Sequence, residues 1–489
     1  MLVPRHFGEA LMSPTLVRRC RAPLALGVAI ALALPWAAQA QTADAGSTSA
    51  REQQLEQRVD QLEQELAQLK SMIQAQKQQQ AVTQTAQAAP AAATQNVAAA
   101  PATNTGKPVF TTAPGLSVAL HGFIDISAFD QSKSFTYGNG QNAEYPAAGS
   151  NGSLSGVDVR NTRFWLDFSG AHLAGDWTGS GRIEMDFFGG YNGTGAYAQQ
   201  QPIPRLRQAY MDLVNPDSGT TLRIGQQWDL LFPLDSVTTS LSHIAFPLGY
   251  GTGMIGWRYP GVVWMQDLNH GNSGIQWRLD LGVFEGSWNG PDAAVNNTNY
   301  LTAGNAGFRP QVEARLHVQG ADWLAYAVAH YSTVDLRGVS GTAATPIQSS
   351  VKSVGYEVGG QWKPGPWVFR ANAYTGKGLG QVFGDLSQFG DIKDTGGYLQ
   401  AGYNFTKNWN LSAIYAASKP NKEDVIRWMG NGSTGLLRSR QTGMNLTYAA
   451  GNYELGVEWL YGWLDSTSNG IDTKTTSGNQ VSLSALYHF

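Results

Sequence analysis

The sequence predicts a transmembrane antiparallel β-barrel of about sixteen strands, preceded by a short parallel coiled coil. Three observations carry this prediction. Apolar and polar residues alternate with period two through most of residues 116–489. Short and long connections take turns between the alternating runs. Only 14% of the 489 residues are charged, whereas 57 are Gly and the aromatics number 15 Trp, 19 Tyr and 18 Phe. That mixture suits a chain that shows apolar side chains to something other than water. The same composition excludes other classes. With 33 Lys+Arg against 36 Asp+Glu there is no basic excess to hold a nucleic acid. The single cysteine, Cys20, cannot pair within its own chain, so a disulfide framework is excluded. One long apolar run near the N-terminus does not make a helical membrane protein.

The elements follow in chain order. Residues 1–40 read as a secretion signal: Arg18, Arg19 and Arg21, then the apolar run Leu24–Leu34, then Ala38-Gln39-Ala40 as the small residues before cleavage. A retained anchor is the alternative, but the run is short for a span. Met12 offers an internal start, and Cys20 precedes the apolar run, where it is not placed for lipid attachment.

Residues 41–76 hold a heptad seam, with Val59, Leu66 and Ile73 at a and Leu55, Leu62 and Leu69 at d. In a parallel pair Arg58 faces Glu63 and Glu65 faces Lys70, both attractive. Three heptads are marginal alone, so another oligomer contact is expected to help. A solvated helix packing on its own chain is the plainer alternative. Residues 77–115 are rich in Ala, Gln, Thr and Pro with few large apolar groups, and read as a disordered linker.

From residue 116 the alternation begins. Val118, Leu120, Ile124 and Ile126 share one face, with Ser117, His121, Asp125 and Ser127 on the other. Phe164, Leu166 and Phe168 oppose Arg163 and Asp167, although Trp165 joins the polar side. Ile183, Met185 and Phe187 oppose Arg182, Glu184 and Asp186; Trp277, Leu279, Leu281 and Val283 oppose Arg278 and Asp280. Val312, Ala314 and Leu316 oppose Glu313, Arg315 and His317, and the final segment sets Val481, Leu483, Ala485, Tyr487 and Phe489 on one face. A soluble sandwich also alternates. The balance shifts because the polar face mixes Arg with Asp and Glu, as a wet lumen does, and because aromatics gather near strand ends. Tyr259, Trp264, Trp323, Trp362, Trp367, Trp409 and Tyr448 are the expected interfacial girdle. Short turns at 215–219, 363–366 and 406–408 alternate with long loops near 130–158, 188–203, 229–253, 286–307, 378–392 and 419–435. Sixteen strands leave roughly 23 residues each with a connection, enough for the 9–11 needed to cross; eighteen also fit by length.

The closing Ser482–Phe489 is similar to the C-terminal signal of bacterial outer-membrane proteins. The wider plan resembles the DcaP-like trimeric porins. The resemblance is carried by Gly175-Asp-Trp-Thr-Gly-Ser-Gly-Arg-Ile-Glu-Met-Asp-Phe187, Pro204-Arg-Leu-Arg-Gln-Ala-Tyr210, Leu222-Arg-Ile-Gly-Gln-Gln-Trp228 and Trp257-Arg-Tyr-Pro-Gly261. It implies a homotrimer of sixteen-stranded channels in the Gram-negative outer membrane, in contact with its lipid, with the coiled coil in the periplasm. It also implies passive uptake of small anionic solutes, dicarboxylates included. The loop 229–253 departs from this plan by being unusually apolar, with Leu230, Leu231, Phe232 and Leu234.

Channels select with rings of lumenal charge. The registers point Arg163, Arg182, Arg223, Arg258, Arg278, Arg315 and Arg370 inward, a ladder suited to carboxylates. Arg205 and Arg207 share a face with Met211 and Leu213, so their direction is open. The competing role for all nine is to pair with Asp167, Glu184, Asp186, Asp280 and Glu313 and hold the wall together. Asp229 and Asp235, in the loop after the fifth strand, are expected to face the arginines across a constriction. No cofactor, metal site or enzymatic activity is expected: metal-ligand spacing, a nucleophile elbow and a phosphate-cradling loop are not found, and His243, His270 and His330 are scattered. Two alternatives remain open, a carbohydrate porin and an envelope-tethering barrel.

Overall fold

The structure is a computed structural model describing residues 109–136, 144–190, 201–237, 251–285, 310–335 and 347–489, apart from positions 114, 236, 271, 273 and 349. The expected signal 1–40, the coiled coil 41–76, most of the linker 77–115 and His243 lie outside the described residues.

Period-two segments become strands because a pleated backbone sends successive side chains to opposite faces. Two strands are short, β1 (Val109–Ala113) and β3 (Leu154–Asp158). Sixteen build the wall: β2 (Leu116–Gln131), β4 (Arg163–His172), β5 (Thr178–Asp186), β6 (Arg205–Asn215), β7 (Thr220–Trp228), β8 (Arg258–Asp267), β9 (Gln276–Phe284) and β10 (Gln311–Gln319). They continue as β11 (Trp323–Asp335), β12 (Ser350–Trp362), β13 (Trp367–Lys377), β14 (Lys393–Asn404), β15 (Trp409–Ser418), β16 (Leu436–Ala450), β17 (Tyr453–Ser466) and β18 (Lys474–His488).

From β4 to β18 each strand pairs antiparallel with the next. β2 closes the ring by taking β18 on one edge and β4 on the other. The seam is completed by reciprocal backbone bonds between Gly122 and Phe489, both 3.0 Å. Closure leaves no run of unpaired amides for a bilayer to solvate.

The strand count therefore agrees with sixteen, and the two extra strands are local additions. β3 pairs with the upper half of β2, inside the first long loop. β1 corrects the linker boundary: residues 109–113, expected to be disordered, pair with the start of β2. They take over the edge that β18 leaves below Phe123.

The alternation is realised as exposure. Ile124 is 56% exposed while neighbouring Asp125 is 1% exposed. Val481 and Leu483 face out, and Gln480, Ser482 and Ser484 face in. On the short-turn side Trp323, Trp362, Trp367, Tyr403, Trp409 and Tyr448 form a row across neighbouring strands, with Trp367 against Tyr403 and Trp409 against Tyr448 at 4.8 Å each. Tyr259 is a correction to the girdle: it is buried, and its hydroxyl donates inward to the Gln381 carbonyl.

Candidate solute pathway and constriction

The lumen has two unlike sides. Facing β11 to β17, segments of three loops pack against the wall in one apolar cluster. Phe135 comes from the first, Leu230, Leu231, Phe232, Met254 and Ile255 from 229–257, and Leu379 and Val382 from 378–392. Wall residues Tyr326, Val328, Tyr374, Tyr398, Ile414 and Leu460 receive them. Facing β4 to β10, arginines and carboxylates line the wall.

Most of the expected arginines are there, and most are paired. Arg182 donates to both oxygens of Asp167 at 2.7 and 3.0 Å, with its guanidinium over Trp165. Arg223 does the same to Asp212 at 2.8 Å twice. Arg278 and Arg315 share Asp280, at 2.6 Å and 2.9 Å. These pairs follow from register, since Asp167 faces Arg182, Asp212 faces Arg223 and Asp280 faces Arg315 across neighbouring strands. Glu313 is a correction to the expected pairing, because it bonds His330 at 2.8 Å, Gln311 and the Leu230 amide rather than an arginine. Arg370 is buried on β13, away from this group, against Tyr398 and the apolar side.

Arg205 and Arg207 both turn inward, for a reason that alternation cannot show. The β5–β6 register shifts between Glu184 and Met185, so Arg207 and Gln208 are both buried. Such a bulge inserts one residue and flips the faces beyond it. Above it Arg205 and Arg207 point in; below it Asp212 points in and Met211, 54% exposed, points out. Arg205 forks onto Asp186 at 3.0 and 2.7 Å, and Arg207 bridges Glu184 and Asp186.

Around these two carboxylates gather four guanidiniums, since Arg163 lies 3.8 Å from Glu184 and Arg258 is also in electrostatic reach. Arg258 is 7% exposed and has no carboxylate within ion-pair distance among the described residues. Its guanidinium instead lies 4.9 Å over Trp228 and 4.5 Å over Trp257. Aromatic faces attract a cation without neutralising it. The cluster therefore carries a positive excess.

An aromatic row borders it. Trp228 stacks on Phe232 at 3.7 Å, meets Trp257 edge-on at 6.1 Å, and Trp257 lies 4.7 Å from Phe383. Asp229 builds this row rather than facing the pore. It is 1% exposed, and its carboxylate accepts from the amides of Phe232 at 2.9 Å and Trp257 at 3.2 Å, tying the two ends of the loop together. Gly256, at φ 112, lets the loop pass: a Cβ there would lie 2.4 Å from the Phe232 backbone. Asp235 does sit toward the wall, in the fields of Glu184, Arg182, Arg163 and Arg315. Burial, reinforced by Glu184, raises its carboxyl to about 6 against the attraction of the arginines.

The row and the second inward loop were not legible as site elements. Loop 378–392 is pinned by Gln381 Nε2 to Ser332 Oγ at 2.8 Å and by the Asp385 amide to Asp394 at 2.8 Å. Phe383, Asp385, Leu386 and Ser387 all adopt left-handed φ of 53–63°, conformations that persist only where surroundings impose them. The apolar residues of that loop were the available signal. His330 is held between Glu313 and Ser353 and serves the wall.

Comparison with known proteins places the fold. No protein-family model matches the chain, and no curated protein sequence is similar to it. Among solved structures it is similar to the outer membrane channel DcaP of Acinetobacter baumannii, at 18% identity and TM-score 0.57, covering 78% of this chain and 99% of that one. It is also similar to Salmonella typhi OmpF in complex with daunomycin, at 14% identity and TM-score 0.50, covering 78% and 100%. The resemblance to DcaP-like channels expected from the motifs is thus met in the fold.

Proposed function

We propose that the chain is an outer-membrane porin, a passive diffusion channel for small polar solutes that favours anions such as dicarboxylates. The observation that carries this reading is the cluster of Arg163, Arg205, Arg207 and Arg258 around Glu184 and Asp186, on the inner face of a closed barrel whose outer face is apolar. A guanidinium without a carboxylate partner has donor capacity and field left for a passing carboxylate. The fold likeness to DcaP and OmpF supports the location, with homotrimers as the expected assembly and the segment 41–76 on the periplasmic side. In this reading the charged side chains are wall braces and field sources.

The aromatic row favours a second reading, a carbohydrate channel, because sugar rings slide along exposed aromatic faces. Liposome swelling separates the two. Entry of succinate-sized dianions faster than neutral sugars of equal mass supports the anion reading, and the reverse order supports the sugar reading. Cation preference in bilayer reversal potentials under a salt gradient refutes the anion reading, and a barrel that passes no solute or ion leaves the tethering role.

A further inference from the structure

We infer that loop 378–392 is a pH-released strap: it lies docked on the inner wall while Asp385 carries a proton, and it leaves the wall when that carboxyl ionises. The inference goes beyond the porin reading and rests on it only for a conductance readout.

The strap is fastened at its tip and at its root. At the tip the Val382 carbonyl accepts from the Gly256 amide at 2.7 Å, and the Gln381 carbonyl accepts from the Tyr259 hydroxyl. The Phe383 ring lies 4.7 Å from Trp257 and so joins the aromatic row beside the arginine cluster. At the root the Asp385 amide donates to Asp394 on β14 at 2.8 Å, while one Asp385 carboxyl oxygen accepts from the Leu379 amide at 2.9 Å. Gly378, at φ 63, turns the chain on one side. On the other, the Gln388 side chain accepts from the Leu436 amide and donates to its carbonyl, both at 2.8 Å, and forms the hinge.

The root is built around one proton. Asp385 and Asp394 are both buried. Asp394 is rich in donors: the Tyr374 hydroxyl at 2.6 Å, the Ser418 hydroxyl at 3.2 Å and the Asp385 amide. The second carboxyl oxygen of Asp385 is buried with no hydrogen-bond partner among the described residues. Donors stabilise the ionised form, so the proton belongs on Asp385. The other titratable groups around it do not supply a countercharge. They are Tyr374 on β13, Asp424 on helix α1 (Lys422–Arg427), and Tyr145, whose hydroxyl donates to the Leu386 carbonyl at 3.1 Å. Glu144, beside Tyr145, turns to Gly251. Lys377, Lys393, Lys419 and Arg438 stand at odd separations from inward Tyr374, Asp394, Ser418 and Ser439, so they face the outer side, and Lys377 pairs with Asp391 at 3.2 Å.

Burial, then the charge of Asp394, holds the Asp385 carboxyl well above the usual carboxylate range. Docking therefore favours the protonated form. The docked strap is fully stable on the acid side and loses stability as pH rises from the usual carboxylate range towards the raised value. Backbone strain acts in the same direction, because Phe383, Asp385, Leu386 and Ser387 hold left-handed φ only while their surroundings impose it. On leaving, the strap draws Phe383 off Trp257 and widens the passage beside the arginine cluster.

The test uses the whole chain in planar bilayers with 1 M KCl. Screening over about 3 Å mutes the lumenal charges there, and single-channel conductance is expected to rise about twofold from pH 5 to pH 9. Asp385→Asn is expected to stay at its pH 5 value throughout. A second measurement needs no ion flow. Val382→Cys, buried in the docked strap, is placed in a Cys20→Ser chain and modified with a small methanethiosulfonate. Its rate is divided by that of Ser468→Cys, an exposed position, at the same pH. The ratio is expected to rise about tenfold from pH 5 to pH 9 as the local structure opens, and the added Asp385→Asn is expected to abolish the rise. A flat ratio in a barrel with heat-modifiable migration, or an equal rise with Asp385→Asn, overturns the release. A rising ratio with flat conductance overturns the strap's hold on the passage. A barrel that passes no ion at any pH sinks the porin reading, and the labelling ratio still decides the strap.

Discussion

Replacing Arg258 by Gln tests whether the arginine cluster sets ion preference. Four guanidiniums surround two carboxylates, so the group carries an excess of about two charges when Asp235 is neutral. Arg258 contributes to that excess without a salt bridge to break, being packed between Trp228 and Trp257. A unit charge about 5 Å from a passing ion in near-aqueous surroundings is worth roughly 0.8 kcal/mol. The anion-to-cation permeability ratio is therefore expected to fall at least about fourfold in Arg258→Gln. Reversal potentials of single channels in a tenfold KCl gradient read this directly. The double variant Arg223→Gln/Asp212→Asn, which removes a bidentate pair and no net charge, is expected to leave the ratio where it was. A folded Arg258→Gln barrel with an unchanged or higher ratio refutes the argument.

Two further outcomes follow from named residues. Because the Asp235 carboxyl is raised to about 6, lowering the pH from 7 to 5 neutralises it and leaves the arginines less opposed. Anion preference is expected to rise over that interval in the wild type and to stay flat in Asp235→Asn, as read by reversal potential at each pH. At the seam, a Cβ on Gly122 would lie 2.6 Å from both the Arg163 carbonyl and the Phe489 ring. Gly122→Val is expected to cost at least about 1–3 kcal/mol by overpacking and to lose heat-modifiable migration, whereas Gly152→Val, with open space around it, keeps it.

The wall was legible in the sequence because a half-buried strand writes its two environments into alternate positions. That is why Ile124 against Asp125 and Leu281 against Asp280 can be placed from alternation alone. Direction stayed open where one residue breaks the rhythm: the bulge at Arg207 leaves no mark in composition, so parity alone puts Arg205 and Met211 on one face although they lie on opposite ones. The ion pairs Asp167–Arg182 and Asp280–Arg315 needed register as well as face. The inward-packed loop segments were hardest to read, because they fold back against the wall. Asp229 looked like a pore charge and is spent on two backbone amides, and Tyr259 looked like a girdle residue and bonds a loop carbonyl. Trp257 and Phe383 are far apart in sequence, so their contact is visible only in three dimensions.

The bore is chemically two-sided, with guanidiniums on β4 to β8 and an apolar cluster of loop side chains against β11 to β17. A molecule with a charged end and a greasy end that enters such a passage is rotated before it is admitted, its poles drawn to opposite flanks. Filtering of this kind acts on the arrangement of groups along a solute as much as on its size, so isomers of one mass and one charge are expected to travel at different speeds.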